Sequence, residues 1–310
     1  MKMLLFWVEF IGTFIGLFIS AELIAKGADE LEEVLGQGIT GGILLGFITA
    51  LPETIFVIIA SLGGSLDVAF GSAIGGNILL FTVGAGLVGI VYFWKWKNNL
   101  VMDQEYQVEN KFLIISTVAL VLITLYSKLN VIAGVCLILI YVYYVIYRLR
   151  KFKRDKPIAK KEVDYVKISI FMVVGAILLI ILSHYFVEQL DQISLSFGIP
   201  AVWISLVLSP IAGELEEKIS AFRLITLSKK GGSLSLLSFV GSKIENNTVL
   251  LGIIGLFGDY SLRPVIPEMV SLILVNVSVL RVLFDRKLTV LESSLLIIAY
   301  AVIIIALYYL

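Results

Sequence analysis

Two stretches of the chain decide the fold: "GITGGILLGFITALPETIFVIIASLGGSLDVAFGSAIGGNILLFTVG" at residues 38–84 and "GIPAVWISLVLSPIAGELEEKISAFRLITLSKKGGSLSLLSFVGSKIENNTVLLG" at residues 198–252. Each begins with Gly-Ile and passes a glutamate in an apolar segment. Each then reaches Gly-Gly-Ser-Leu and a glycine-rich turn that carries amide side chains. Self-similarity of this kind predicts an internal repeat.

The composition around these blocks is that of a membrane protein. Of the 310 residues, 59% are hydrophobic and only 15% are charged, and the mean hydropathy is +1.01. These values predict a polytopic membrane protein, whose partner is the lipid bilayer. The formal net charge is zero, which gives no indication of a nucleic-acid partner. No obligate protein partner is evident. The single cysteine, Cys136, cannot form an internal disulfide or a thiol pair for a metal.

Apolar segments long enough to cross a bilayer predict ten membrane helices. Their approximate ranges are 4–25, 35–61, 67–94, 111–128, 130–149, 167–186, 197–228, 233–258, 265–284 and 289–309. Lysine and arginine concentrate in the loops after the odd-numbered helices, above all in the basic run 148–167. By the positive-inside rule these loops are cytoplasmic. We therefore expect a multi-pass protein of the cell membrane with both termini outside.

The basic run divides the predicted helices into two sets of five. We expect a first repeat at 1–149, a cytoplasmic linker at 150–166 and a second repeat at 167–310. Because each set has an odd number of spans, equivalent helices cross the membrane in opposite directions. The predicted fold is thus all-α, with ten transmembrane helices arranged as two inverted five-helix repeats.

Four motifs in the two blocks resemble the α-repeats of the calcium/cation antiporter superfamily, which contains Na⁺/Ca²⁺ and Ca²⁺/H⁺ exchangers. "TALPE" at 49–53 resembles its Thr-Ser-x-Pro-Glu motif, and "GSAIGGNI" at 71–78 resembles Gly-Asn-x-Ile-Gly-Ser-Asn-Ile. "FVGSKIENN" at 239–247 resembles the second copy of the latter. "GELEE" at 213–217 is similar to the Gly-Asn-x-x-Glu form of the proton-coupled branch. The resemblance implies a ten-helix antiporter with an outside N-terminus.

The chain departs from the exchanger pattern at several positions. Ala50 and Gly76 stand where serine is usual, and Leu80 replaces an asparagine or aspartate. Lys243 stands where a neutral amide is usual, and Glu214 takes the asparagine position of the proton-coupled form. The ligand set of a Na⁺/Ca²⁺ exchanger is therefore incomplete.

Paired membrane glutamates are the predicted core of an ion site. Ca²⁺ takes six to eight oxygen ligands, and two facing carboxylates neutralise it. Pseudo-symmetry brings Glu53 and Glu217 together near the midplane. Pro52 favours a helix break there, where freed carbonyls can line a cavity. Counting from Gly38 and Gly198 instead places Glu53 beside Glu214, so both partners stay open.

Neutral oxygens are expected to complete the site. The candidates are Thr49, Asn77, Ser242 and Asn246.

Lys243 and Glu245 are candidates for modulating the site. If Lys243 faces the ion, its ammonium can pair with Glu214 or Glu217 when the cation leaves. The alternatives are that Lys243 snorkels to an interface or pairs with Glu245.

The same groups predict exchange rather than leak. Burial beside a second carboxylate disfavours the charged form, so protons compete with the divalent ion. We expect a secondary antiporter for Ca²⁺ or a similar divalent cation driven by H⁺, with Na⁺ as the alternative counter-ion. No cofactor is expected. A channel would not need a titrating site, and a membrane-embedded enzyme would want an Asp-rich or His-Glu-x-x-His motif, neither of which occurs.

Overall fold

A computed structural model describes residues 2–35, 50–102, 107–151, 165–213 and 215–310, with side chains at all of these except residues 2, 28–35, 151, 212 and 215–220. Helices dominate these ranges. Those of the first part are α1 (Lys2–Leu35), α2 (Leu51–Leu62), α3 (Leu66–Leu79), α4 (Ala85–Trp96), α5 (Gln107–Tyr126) and α6 (Val131–Lys151). Those of the second part are α7 (Tyr165–Phe197), α8 (Ala201–Gly213), α9 (Leu215–Leu227), α10 (Gly231–Glu245), α11 (Leu251–Phe257), α12 (Ile266–Asp285) and α13 (Val290–Tyr309).

Seven stretches of helix are long and apolar enough to cross a membrane. They are Met3–Gly27, Leu66–Trp96, Gln107–Tyr126, Val131–Arg150, Tyr165–Phe197, Arg263–Asp285 and Val290–Tyr309. Shorter apolar helices lie at Leu51–Leu62 and Ala201–Ile211. The chain is thus an integral membrane protein, and the count of ten spans stays a prediction. Part of the predicted span 35–61 lies outside the described residues.

The membrane segment Met3–Gly27 agrees with the predicted span 4–25, whereas Tyr165–Phe197 is longer than the predicted span 167–186. The segments 4–25 and 167–186 belong to helices that run from Lys2 to Leu35 and from Tyr165 to Phe197. Counting apolar residues stops near the first charges, whereas the backbone hydrogen bonds of a helix continue past them. The Glu22–Lys26 ion pair of 3.4 Å, one turn apart, is an example on α1.

Each of the two glycine-rich blocks ends in a long helix that has a wide π turn in its middle and continues beyond the block. The π turn Leu80–Gly84 joins α3 to α4, and the π turn Asn246–Leu250 joins α10 to α11. Only 17–22% of the α1, α6, α7 and α13 spans is buried, against 78% for Leu66–Trp96. The α3–α4 helix is therefore central, and the other four face the lipid.

Glycines let the central helices approach their neighbours closely. A Cβ on Gly71 or Gly75 of α3 would overlap backbone atoms of α8, at the carbonyl oxygens of Val202 and Leu206. A Cβ on Gly134 of α6 would lie 2.6 Å from the carbonyl oxygen of Gly252 in α11. Small residues permit such backbone contact in membrane helices.

Two short antiparallel strand pairs join loops from the two parts of the chain. β1 (Leu100–Val101) pairs with β4 (Lys287–Leu288), and β2 (Lys128–Leu129) pairs with β3 (Tyr260–Ser261). The predicted topology places the two loops of each pair on the same side of the membrane. The pairing is also reciprocal. β1 follows the glycine-rich helix of the first part and pairs with β4, the later strand of the second part. β3 follows the glycine-rich helix of the second part and pairs with β2, the later strand of the first part. An inverted repeat would give this arrangement.

Next to the second strand pair, the buried Tyr260 hydroxyl donates a 2.7 Å hydrogen bond to Asp67 at the start of α3. Burial, and after it this bond to Asp67, raise the pKa of Tyr260 well above its usual range. The phenol therefore stays a neutral donor, and it ties β3 to the end of the central helix.

Candidate ion-binding site

Glu53 lies in the first turn of α2, directly after Pro52. Proline is tolerated there because the first amides of a helix have no intrahelical acceptor. The positive end of the helix dipole favours a carboxylate in the same turn. The Glu53 side chain is buried, with 8% of its surface exposed. A carboxylate at such a place needs partners, because an uncompensated charge in the bilayer is costly.

Two donors from α10 and its π turn reach the same oxygen of Glu53. Asn246 Nδ2 donates to Glu53 Oε2 at 2.9 Å, and Lys243 Nζ lies 3.8 Å from that oxygen. Residues three apart share one face of a helix, which explains why both side chains meet Glu53. The Lys243 ammonium is fully buried, at 0% exposure. The site thus brings together one residue before the basic linker and two after it.

Asn77 meets its counterpart from the second block. Its Nδ2 donates to Oδ1 of Asn247, and Asn247 Nδ2 lies 3.5 Å from the Ser116 hydroxyl of α5. Asn247 was not among the predicted site residues. The motifs "GSAIGGN" at 71–77 and "GSKIENN" at 241–247 have equal length, so aligning them without a gap would have matched Asn77 with Asn247.

A cavity of about 30 Å³ adjoins Glu53. This exceeds the roughly 10–15 Å³ that a cavity needs to hold one water molecule. Its polar lining comes from Glu53 and the hydroxyls of Ser72, Ser183 and Ser209, and Phe56 and Phe186 are among its apolar walls. Sequence reasoning missed these three serines, because only the packing of α3, α7 and α8 around α2 brings them together.

Two buried oxygens around Glu53 have no hydrogen-bond partner in the described part of the chain. They are Oδ1 of Asn246, whose amide nitrogen binds Glu53, and Oγ of Ser183, which lines the same cavity. Oδ1 of Asn77 on α3 is open in the same sense. Buried polar atoms are normally satisfied. Oxygens left open beside a carboxylate are the ligands that a hard cation such as Ca²⁺ prefers.

Three of the predicted site residues cannot be placed. Thr49 and the side chains of Glu214 and Glu217 lie outside the described residues. Gly213, which begins their motif, is in contact with Glu53: a Cβ there would be 3.2 Å from Glu53 Cγ and 3.6 Å from Oε1. The start of "GELEE" therefore adjoins the carboxylate. Ser242 is half-buried on α10, next to Lys243.

Lys243 is placed differently from one of the alternatives raised above. It does not snorkel, since it is fully buried and lies beside Glu53. Glu245 accepts a 2.8 Å hydrogen bond from the Tyr141 hydroxyl of α6.

The architecture and the buried site define the chain as a polytopic membrane protein of an ion-exchanger type. A family model described as "Sodium/calcium exchanger protein" matches residues 5–150 and 167–309. The chain belongs to this family, which confirms the resemblance to the calcium/cation antiporter superfamily. The two matched segments flank residues 151–166, most of the predicted linker.

Solved structures share the fold. The H⁺/Ca²⁺ exchanger CAX superposes with a TM-score of 0.78 at 18% identity, over 98% of this chain and 85% of that one. A structure of native YfkE gives the same score and identity, over 98% and 92%. The sodium-calcium exchanger NCX_Mj, soaked with 2.5 mM Na⁺ and 10 mM Sr²⁺, gives a TM-score of 0.65 at 18% identity, over 96% and 99%.

Two plant proteins are similar over a short segment. Sodium/calcium exchanger NCL2 of Oryza sativa subsp. japonica is 31% identical over 74 residues, which are 22% of this chain and 13% of that protein. Sodium/calcium exchanger NCL of Arabidopsis thaliana is 30% identical over 82 residues, 24% and 14% of the two chains. The matched segment spans about one seventh of each plant protein.

Proposed function

We propose that this protein is a secondary-active antiporter, not an enzyme, that exchanges Ca²⁺ or a similar divalent cation for H⁺ by alternating access. The observation that carries the proposal is the buried Glu53 carboxylate, which adjoins a small cavity and has open oxygens of Asn246 and Ser183 nearby. A carboxylate with amide and hydroxyl oxygens is a ligand set for a hard cation.

The proposed ligands follow from this arrangement. Glu53 and Glu217 supply the two carboxylates, with Glu214 as the other candidate partner. Asn77, Asn246, Ser242 and Thr49 supply neutral oxygens. Gly213 supports the pairing, because it carries the chain into "GELEE" directly beside Glu53. No resident cofactor takes part.

H⁺ is the proposed counter-ion because the site is poor in the neutral ligands that Na⁺ prefers. Ala50 and Gly76 lack the hydroxyls usual at these positions. Asn77 and Asn246 each use their amide nitrogen on a protein partner, which leaves one oxygen apiece. Protons need only the carboxylates. Exchange for Na⁺ on the same fold is the second candidate, and the likeness to NCX_Mj favours it.

Ca²⁺ uptake into proteoliposomes, driven in turn by a pH gradient and by a Na⁺ gradient, tests the proposal. We expect uptake with the pH gradient and little with the Na⁺ gradient. The opposite result selects the Na⁺-driven candidate. If Ca²⁺ does not move with either gradient, both candidates are wrong.

The place of the protein in the cell is part of the same proposal. We place it in the plasma membrane, with both termini outside and the linker 150–166 in the cytoplasm. The distribution of lysine and arginine supports this orientation.

A further inference from the structure

A fully buried lysine beside the carboxylate is the one feature of the site that binding a divalent cation does not require. Lys243 Nζ lies 3.8 Å from Glu53 Oε2, and the lysine side chain has 0% exposure. A buried ammonium is costly unless an anion compensates it. The structure thus shows Glu53 already balanced by a cation that belongs to the protein.

This cation comes from only one of the two blocks. In the ungapped alignment of residues 71–77 with 241–247, Lys243 corresponds to Ala73. Ala73 is buried in the hydrophobic core and carries no charge. The site therefore has a single resident ammonium from this pair of positions.

We infer that Lys243 is a resident counter-cation, which neutralises Glu53 when the transported ion is absent. Its ammonium takes the place of one of the monovalent cations that would otherwise have to bind the empty site from solution. The inference rests on the proposed antiport of a divalent cation and specifies its coupling.

The geometry allows the ammonium and the transported ion to alternate at Glu53. A bound Ca²⁺ lies about 2.3–2.6 Å from its carboxylate oxygens, so it repels an ammonium on the same carboxylate. Oε2 of Glu53 faces Lys243 and Asn246, whereas Oε1 faces Gly213, which lines the cavity. The cavity is lined by Gly213 and not by Lys243, so an ion that enters from it can reach Oε1 without displacing the lysine first. The flexible four-carbon stem of Lys243 lets the ammonium withdraw.

Asn246 can change its role in the same step. Its Nδ2 donates to Glu53 in the present arrangement, and its Oδ1 has no donor among the described residues. A half-turn of the amide exchanges the two atoms and offers an oxygen to the ion. Lysine and asparagine together thus satisfy Glu53 in the ion-free state and release it in the ion-bound state.

Counting charges gives the expected coupling. Lys243 is present in both states, so the two proposed site glutamates and the lysine together carry one negative charge. A divalent cation brings the site to one positive charge. Once that ion has left, a single monovalent cation from solution brings the site to neutrality. One net positive charge then moves with each divalent ion, so transport is electrogenic.

The coupling ratio can be measured with the purified full-length protein in proteoliposomes, using Ca²⁺ as the probe. Net Ca²⁺ flux is recorded over a series of counter-ion gradients and imposed potentials, and the conditions of zero net flux give the ratio. We expect wild type to return one monovalent cation per Ca²⁺, with uptake accelerated by an inside-negative potential. K243M should return two and lose the dependence on potential. K243R keeps the charge and should therefore keep a ratio of one, whatever its transport rate. K128M, which removes an exposed lysine, should behave as wild type.

Two results overturn the inference: a wild-type ratio of two or more, or the same ratio in K243M as in wild type. The wild-type measurement decides even if K243M does not assemble. Failure of the proposed function has a different signature, because wild type then moves no Ca²⁺ with either a pH or a Na⁺ gradient, and the inference falls with it.

Discussion

The two glycine-rich helices of the molecule, residues 66–96 and 231–257, share a plan but carry different side chains. Both contain a π turn, and both follow or begin with Gly-Gly-Ser-Leu. The first presents Gly71 and Gly75 to the backbone of α8. The second presents Lys243 and Asn246 to Glu53. Both helices pack closely against neighbours, the second through Gly252, but only the second brings a charged group to Glu53. The first is called the packing helix below, and the second the charged helix.

The largest effect on transport is expected at Glu53, the residue that Lys243 and Asn246 of the charged helix contact. E53Q removes the carboxylate that Asn246 and Lys243 approach. Loss of a residue that only supports the metal ligands costs about 10–100-fold in affinity or activity. Because Glu53 is proposed as a ligand, Ca²⁺ transport should fall by about 100-fold. Ca²⁺ uptake into proteoliposomes measures it. E22Q, on the exposed Glu22–Lys26 pair of α1, is the control and should retain wild-type uptake. Normal uptake by E53Q would remove Glu53 from the site.

The packing helix is tested by G75A. The added Cβ would overlap the Leu206 carbonyl oxygen of α8, so the free energy of unfolding should fall by about 1–3 kcal/mol, as in overpacked cores. Thermal unfolding in detergent measures the change. G12A, where a Cβ meets nothing within 4 Å, should leave the melting temperature nearly unchanged. Equal effects of the two substitutions would mean that backbone contact at α8 does not limit stability.

The contact between the two helices is tested by N247A. The substitution leaves the buried Asn77 amide without its described acceptor, which should lower the free energy of unfolding by about 1–2 kcal/mol. N98A, at an exposed asparagine after α4, is the matched control in the same unfolding measurement. A loss in N247A no larger than in N98A would show that the Asn77–Asn247 pair contributes little.

The smallest effect on stability is expected where the charged helix contacts α6, at Glu245. Y141F removes the hydroxyl that donates to Glu245, so the free energy of unfolding should fall by about 1 kcal/mol. Y143F, at a tyrosine with 52% exposure on the same helix, should have almost none. If both variants melt together, the hydrogen bond to Glu245 adds no stability.

The sequence alone predicted the membrane class, the superfamily and three of the residues that the structure brings together. Glu53, Asn246 and Lys243 could be chosen because charges and amides are rare in apolar segments and usually have a purpose there. Whether they bind an ion stays a prediction.

Other features depend on contacts between helices that are distant along the chain. Ser183 lines the cavity only because α7 packs against α2, and no local pattern marks it. Helix ends could not be predicted for a related reason. Hydropathy records where apolar residues stop, near Lys26, and so gives the membrane span, whereas the helix continues to Leu35.

The strand pairs have a consequence for the order in which the protein is completed during synthesis. The partner of β2 is made when the ribosome reaches Ser261, but the partner of β1 is made only at Lys287. The pair β2–β3 is therefore nested inside the pair β1–β4 and is available first. A nascent chain that stops between these two points can form the pair β2–β3 but not the pair β1–β4. The loop between α12 and α13, which carries β4, thus completes a strand pair whose first strand lies in the first third of the chain.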